Sequence, residues 1–82
     1  MTAAVRQQLL DQNEGFERKT SNEQKNHTEY RTYRISGGQL HIRASGKGAW
    51  ADSRYDEEYL ATEDQTHRFL RKYLGQLNTD GL

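Results

Sequence analysis

The pair Gly37-Gly38 sits between two β-favouring runs, YRTYRIS and QLHIRAS, and it fixes how those runs can meet. Two adjacent glycines supply the two positive-φ positions of a type I′ turn, the tightest connection whose twist suits a hairpin. With the turn there, Ile35 faces Leu40, Tyr33 faces Ile42 and Arg31 faces Ala44 on one side. Arg34 then faces His41, Thr32 faces Arg43 and Tyr30 lies near Ser45 on the other. The first side is largely apolar and the second is basic.

A single hairpin of this kind is not a domain, so the rest of the 82 residues must cover its apolar side. Apolar residues at helical spacing, Val5, Leu9, Leu10 and Phe16, predict a helix from Ala3 to about Arg18. Residues 19–26 hold no apolar side chain and read as a polar, solvated connection. Beyond the hairpin, Ser45-Gly46-Lys47-Gly48 reads as a second turn. Ala49-Trp50-Ala51 then reads as a short third strand, with Trp50 on either face according to register. Ser53-Arg54-Tyr55-Asp56, followed by Glu57 and Glu58, predicts a short helix to about Ala61 with an extended segment as the rival. Thr62-Glu63-Asp64-Gln65 is a capping box, and Thr66, Phe69, Leu70, Tyr73, Leu74 and Leu77 recur on one face of the long C-terminal helix it opens. Asp64 and Arg68 form a favourable pair one turn apart. Residues 78–82 read as a flexible tail.

The expected fold is therefore α+β, a single small domain: an N-terminal helix, a two- or three-stranded antiparallel sheet, then a short and a long helix on one sheet face. Leu, Ile, Val and Phe total 13 of 82 residues, so the core is thin and gains from surface buried against a partner or a second copy. No cysteine is present, which removes disulfides, thiolate metal sites and thiol nucleophiles and fits a cytoplasmic setting. No apolar run approaches the roughly 20 residues needed to cross a bilayer.

The formal net charge of zero hides a dipolar chain. Residues 27–50 carry +3, residues 51–66 carry −5 and residues 67–82 carry +2. The acidic run lacks the alternating oxygen ligands and central glycine of a calcium loop, His27, His41 and His67 have no zinc-like spacing, and no metal or cofactor is expected. Gly46-Lys47-Gly48 is too short for a phosphate-binding loop, and no strained serine elbow occurs. Catalysis is not expected. The tyrosines and tryptophan exceed what a minimal core requires, and these residue types dominate protein interfaces. The leading expectation is thus a small non-enzymatic interaction or regulatory module. It would bind a protein partner, or itself as a homodimer, through Trp50, Tyr55 and Tyr59. The alternative is a nucleic-acid-binding face on the hairpin, with Arg34, Arg43 and Lys47 meeting phosphates, His41 among them and Tyr30 stacking on a base.

Overall fold

A computed structural model of the chain describes residues 1–24, 27–47 and 54–82. The order is α1 (Ala3–Gln12), β1 (Glu17–Gln24), β2 (His27–Ser36), β3 (Gln39–Lys47), β4 (Arg54–Leu60) and α2 (Glu63–Lys72), then a 3-10 turn over Leu74–Gln76. The strands form one antiparallel sheet in the order β1-β2-β3-β4. The fold is α+β, with a helix before the sheet and a helix after it.

The hairpin has the register the Gly-Gly turn dictates: Ile35 opposite Leu40, Tyr33 opposite Ile42, Arg31 opposite Ala44, Arg34 opposite His41 and Thr32 opposite Arg43. Gly37 and Gly38 take φ of 63° and 74°, the left-handed region that the turn needs and side chains disfavour. Helix α1 and the turn that follows it hold the hairpin turn. Gln7 Nε2 donates to the Gly38 carbonyl at 2.9 Å, and the Gly37 N–H donates to the Glu14 carboxylate at 3.0 Å.

The sheet has two more strands than the hairpin alone, and both correct the sequence reading. Residues 19–26, read as a connection, supply most of β1. An edge strand needs only backbone pairing along one side, so ERKTSNEQ joins the sheet without an apolar period to announce it. Helix α1 accordingly stops at Gln12, not near Arg18, and Gly15 at φ 84° turns the chain into β1. Residues 54–60, read as a short helix, are β4. Tyr55 and Tyr59 lie four apart, a spacing that puts two residues on one side of a helix and also of a strand. Pairing with β3 decides between them, setting Tyr59 beside Ile42 and Asp56 beside Ser45. Ser45, Gly46 and Lys47 belong to β3 and not to a turn. The third strand expected at Ala49-Trp50-Ala51 lies outside the described residues.

The capping box forms as the sequence implies. Thr62 Oγ1 accepts from Gln65 N at 3.1 Å, Gln65 Oε1 accepts from Thr62 N at 2.9 Å, and Asp64 pairs with Arg68 at 3.0 Å. Helix α2 ends sooner than the apolar period suggests. The shift to 3-10 geometry after Lys72 rotates Leu74 into solvent and brings Leu77 into the core.

That core joins Leu9 and Leu10 of α1, Ile35 and Leu40 beside the turn, Phe69 and Leu70 of α2, and Leu77. All of it lies at the turn end of the sheet. The far end of β2 and β3 runs on past the helices, so the molecule measures 49 × 21 × 20 Å with a radius of gyration of 14.6 Å. A compact chain of this length would have roughly 12 Å.

One buried polar residue ties the C-terminal segment to this core. Asn13 Nδ2 donates to the Leu9 carbonyl at 2.8 Å and to the Asn78 carbonyl at 3.0 Å, and its Oδ1 accepts from Asn78 N at 2.8 Å. Both backbone groups of Asn78 are thereby satisfied by one side chain. Asn13→Ala removes three bonds and leaves the Asn78 N–H without its side-chain acceptor, while the Asn78 carbonyl keeps Gln12 Nε2 at 3.2 Å, so we expect a loss of about 1–3 kcal/mol in urea unfolding. The Asn78 amide should lose its exchange protection in the same variant.

Candidate interaction surface

Alternation along the strands sorts the side chains to two faces. The inner face carries Ile35, Leu40, Ile42 and Ala44 and is covered by the helices at the turn end only. Past the helical layer it presents Glu29, Arg31, His27 and Tyr55. In the sheet register Glu29 and Tyr55 flank Gly46 from either side. The tyrosine ring crosses over the glycine, and its hydroxyl donates to Glu29 Oε2 at 2.7 Å. Arg31 Nε donates to the other carboxylate oxygen. His27 stacks on the Tyr55 ring at 6.2 Å with 15° between planes, and its Nε2 lies 3.9 Å from Glu29 Oε2.

The electrostatics follow from this geometry. The Tyr55 hydroxyl first, and then Arg31, hold the Glu29 carboxyl below the usual glutamate range. Its hydrogen bond to Glu29 pushes the Tyr55 hydroxyl above the usual tyrosine range. A depressed carboxyl stabilises the fold above its ordinary value and loses that contribution as pH falls through the folded value. A raised phenol stabilises below its ordinary value and loses it as pH rises through the folded one. The melting-temperature difference between the wild-type chain and Tyr55→Phe should therefore be constant between pH 4.5 and 10.0 and shrink on both sides. A difference that does not change with pH would show that the hydroxyl–carboxylate bond is not what the substitution removes.

Among the described residues, no helix covers the outer face. Its rows across the sheet run Glu17-Arg34-His41-Leu60, Lys19-Thr32-Arg43-Glu58 and Ser21-Tyr30-Ser45-Asp56. The expected nucleic-acid residues Tyr30, Arg34, His41, Arg43 and Lys47 do share this face. On either side of them, however, stand the carboxylates of β1 and β4. Arg43 is held by Asp56 through two bonds, 3.0 Å from Nε and 2.7 Å from an Nη, which raises its pKa and lowers that of Asp56. His41 Nε2–H donates to the Ser36 carbonyl at 3.1 Å. Tyr30 is half exposed, and Lys47 lies opposite Arg54 at the far end. The basic hairpin side read from the sequence is thus part of a surface of mixed sign, bordered by carboxylates along both sheet edges.

Tyr55 and Tyr59, expected at a partner surface, both lie on β4, an edge strand exposed along nearly its whole length. They sit on the inner face with Glu57 between them, and Leu60, 52% exposed, closes the strand on the outer face. Trp50 lies outside the described residues. The sequence reading missed Glu29, yet the hairpin register contains the signal: carried two residues beyond Arg31 and Ala44, it sets Glu29 opposite Gly46. An open cleft of about 510 Å³ separates α2 from the inner face, with Arg31, Arg68 and Lys72 among its lining residues. Two of these cations are already bonded, Arg31 to Glu29 and Arg68 to Asp64.

Among the described residues, no group of three or more histidines and carboxylates is placed to hold a metal ion. No helix of the described structure is long and apolar enough to cross a membrane. No protein-family model, curated protein or solved structure matches this chain.

Proposed function

We propose that this chain is a small, non-enzymatic, cytoplasmic interaction module that takes an extended segment of a protein partner as an added strand along β4. The observation that carries the reading is the open β4 edge flanked by Tyr55 and Tyr59. Ala61 N donates to the Leu40 carbonyl at 2.9 Å, so Leu40 turns its backbone groups towards β4. Alternation along both strands then points Tyr55, Glu57 and Tyr59 at β3, and leaves the N–H and C=O groups of Arg54, Asp56, Glu58 and Leu60 directed outward. Main-chain bonds of this kind give affinity to strand addition, and side chains on alternate positions give it selectivity. Glu57 on the inner face and Glu58 on the outer face make no ion pair among the described residues, so the favoured partner strand carries Lys or Arg at two adjacent positions, one on each face. The two tyrosines supply the large, rigid contact area typical of interface anchors.

Selection of peptides from a random displayed library tests the reading. Enrichment of extended sequences with two adjacent basic residues, lost on Tyr59→Ala and on the Glu57→Lys/Glu58→Lys double variant, is the expected result. Enriched peptides that bind those variants unchanged would sink it. A parallel anisotropy titration with mixed-sequence oligonucleotides at low salt should show no saturable binding, because carboxylates of β1 and β4 flank the outer-face cations and Asp56 already holds Arg43. Saturable binding that weakens steeply with salt, and that Arg34→Ala reduces, would instead favour the nucleic-acid face.

A further inference from the structure

We infer that β1, the opposite edge of the sheet, is self-complementary, and that two copies of the chain pair through it antiparallel about a two-fold axis at Ser21. The argument uses only β1 and stands whether or not β4 takes a partner. Ile35 N donates to the Phe16 carbonyl at 2.9 Å, and Gly15 N donates to the Ile35 carbonyl at 2.8 Å, so Ile35 turns its backbone groups towards β1. Alternation turns those of Tyr33, Arg31 and Glu29 the same way, towards their β1 partners Arg18, Thr20 and Asn22. Glu17, Lys19, Ser21 and Glu23 are left with N–H and C=O groups pointing out of the sheet. The pairing of β1 with β2 is unbroken from Glu17 to Gln24, with neither the bulge nor the proline that commonly blunts an edge.

Symmetry restricts how this edge can meet itself. Directly opposed residues share a face, so an antiparallel pair of identical strands needs its axis along the sheet normal and through a residue. An axis at Ser21 sets Ser21 opposite Ser21 of the partner copy, and Lys19 opposite Glu23 of the partner copy, twice over. All of these are outward-pointing residues that exchange backbone bonds in pairs. On the outer face each Lys19 ammonium meets a carboxylate, and on the inner face Thr20 meets Asn22 of the partner copy. Moving the axis to Thr20 opposes Glu17 to Glu23, and moving it to Asn22 leaves Glu23 opposite an uncharged Ser21. An axis at Arg18 opposes Glu17 to Lys19 but sets Arg18 against itself and pairs only the start of β1, so the Ser21 register alone matches opposite charges without opposing like ones along the strand.

The lysine that would ordinarily protect an exposed edge thus has its counter-charge in the same strand. In the single chain Lys19 is weakly engaged, 3.8 Å from Glu17 with its side chain 75% exposed, and Glu23 makes no ion pair among the described residues. Edge β4 behaves differently under the same operation: an axis at its central residue Glu57 sets Asp56 against Glu58 and Glu57 against itself. Pairing through β1 joins two four-stranded sheets into one of eight strands, with both helical layers on one side and a β4 edge free at each end.

Sedimentation velocity over a concentration series tests this on the intact chain. The wild-type protein should dimerise reversibly. Lys19→Glu should raise the dissociation constant by about tenfold or more, since two attractive pairs become repulsive. Glu23→Lys should do the same, and the Lys19→Glu/Glu23→Lys double variant should return close to wild-type affinity. The chain has no cysteine, so Ser21→Cys introduces one thiol whose symmetry mate lies about 5.5 Å away between Cα atoms, within disulfide range. Mild oxidation should cross-link it rapidly, and Glu58→Cys on the other edge slowly. A chain monomeric at millimolar concentration overturns the proposal, as does a double variant as weak as the single ones or cross-linking of Glu58→Cys as fast as that of Ser21→Cys.

Discussion

Leu70→Ala should lower the free energy of unfolding by about 3 kcal/mol, the largest loss we expect from any single truncation. Leu70 is fully buried, at 0% exposure, where α1, α2 and the turn end of the sheet converge. The core around it draws on four parts of the chain: Leu9 and Leu10 of α1, Ile35 of β2, Leu40 of β3, and Leu77 after the 3-10 turn. Each is fixed by its own backbone, so the cavity left by three missing carbons closes only in part. The loss must be set against a total stability of roughly 4–12 kcal/mol for a chain of this length. A protein whose core occupies one end of the sheet has little elsewhere to compensate. The matched control is Leu74→Ala, also on the C-terminal segment but 42% exposed, for which less than about 1 kcal/mol is expected. Urea unfolding of the three proteins decides the point. Equal midpoints for the two variants would mean that the helices do not close over the sheet as described.

How much of this was legible beforehand depends on what each segment is selected to do. The hairpin register and the α2 capping box rest on local chemistry: two glycines free to take positive φ, and a threonine and glutamine bonded to each other's backbone. Such signals survive any tertiary context. Strands β1 and β4 rest on non-local pairing instead. ERKTSNEQ has no apolar period because neither of its faces is buried past the helices, and RYDEEYL reads as a helix start because carboxylates favour a helix N-terminus. In the fold one of those carboxylates serves a strand neighbour instead, Asp56 bonding Arg43 across the sheet. The same reassignment changes the candidate site. Arg34, Arg43 and Lys47 fall on one face as the alternation requires, but the acidic segment, read as a short helix, lies beside β3 along the sheet edge. A charge block counted along the chain thus comes to lie against its opposite once the strands pair.

Gly46 shows the same difficulty at a single position, and its replacement has the second large effect. On an open strand, Gly→Val should stabilise by up to about 1 kcal/mol, because valine suits a pleated sheet better. At position 46 we expect the opposite sign, a loss of about 2 kcal/mol, because the space is taken. A Cβ there would stand 2.5 Å from the Thr28 carbonyl oxygen and 2.8 Å from the Tyr55 hydroxyl. The tyrosine can move aside; the backbone of β2 cannot move without breaking the hairpin ladder. Displacing Tyr55 also removes its bond to Glu29, so the carboxyl should return towards the ordinary glutamate range. Gly46→Val should thus combine a lower urea midpoint with a raised Glu29 pKa in an NMR titration, whereas Tyr55→Phe raises the pKa with a smaller stability loss. If Gly46→Val proves more stable than wild type, no ring crosses the glycine and β4 does not pair with β3 in this register. The Tyr55–Glu29 contact and the outward-facing backbone groups of β4 would then both be lost, and with them the basis for partner binding along that edge.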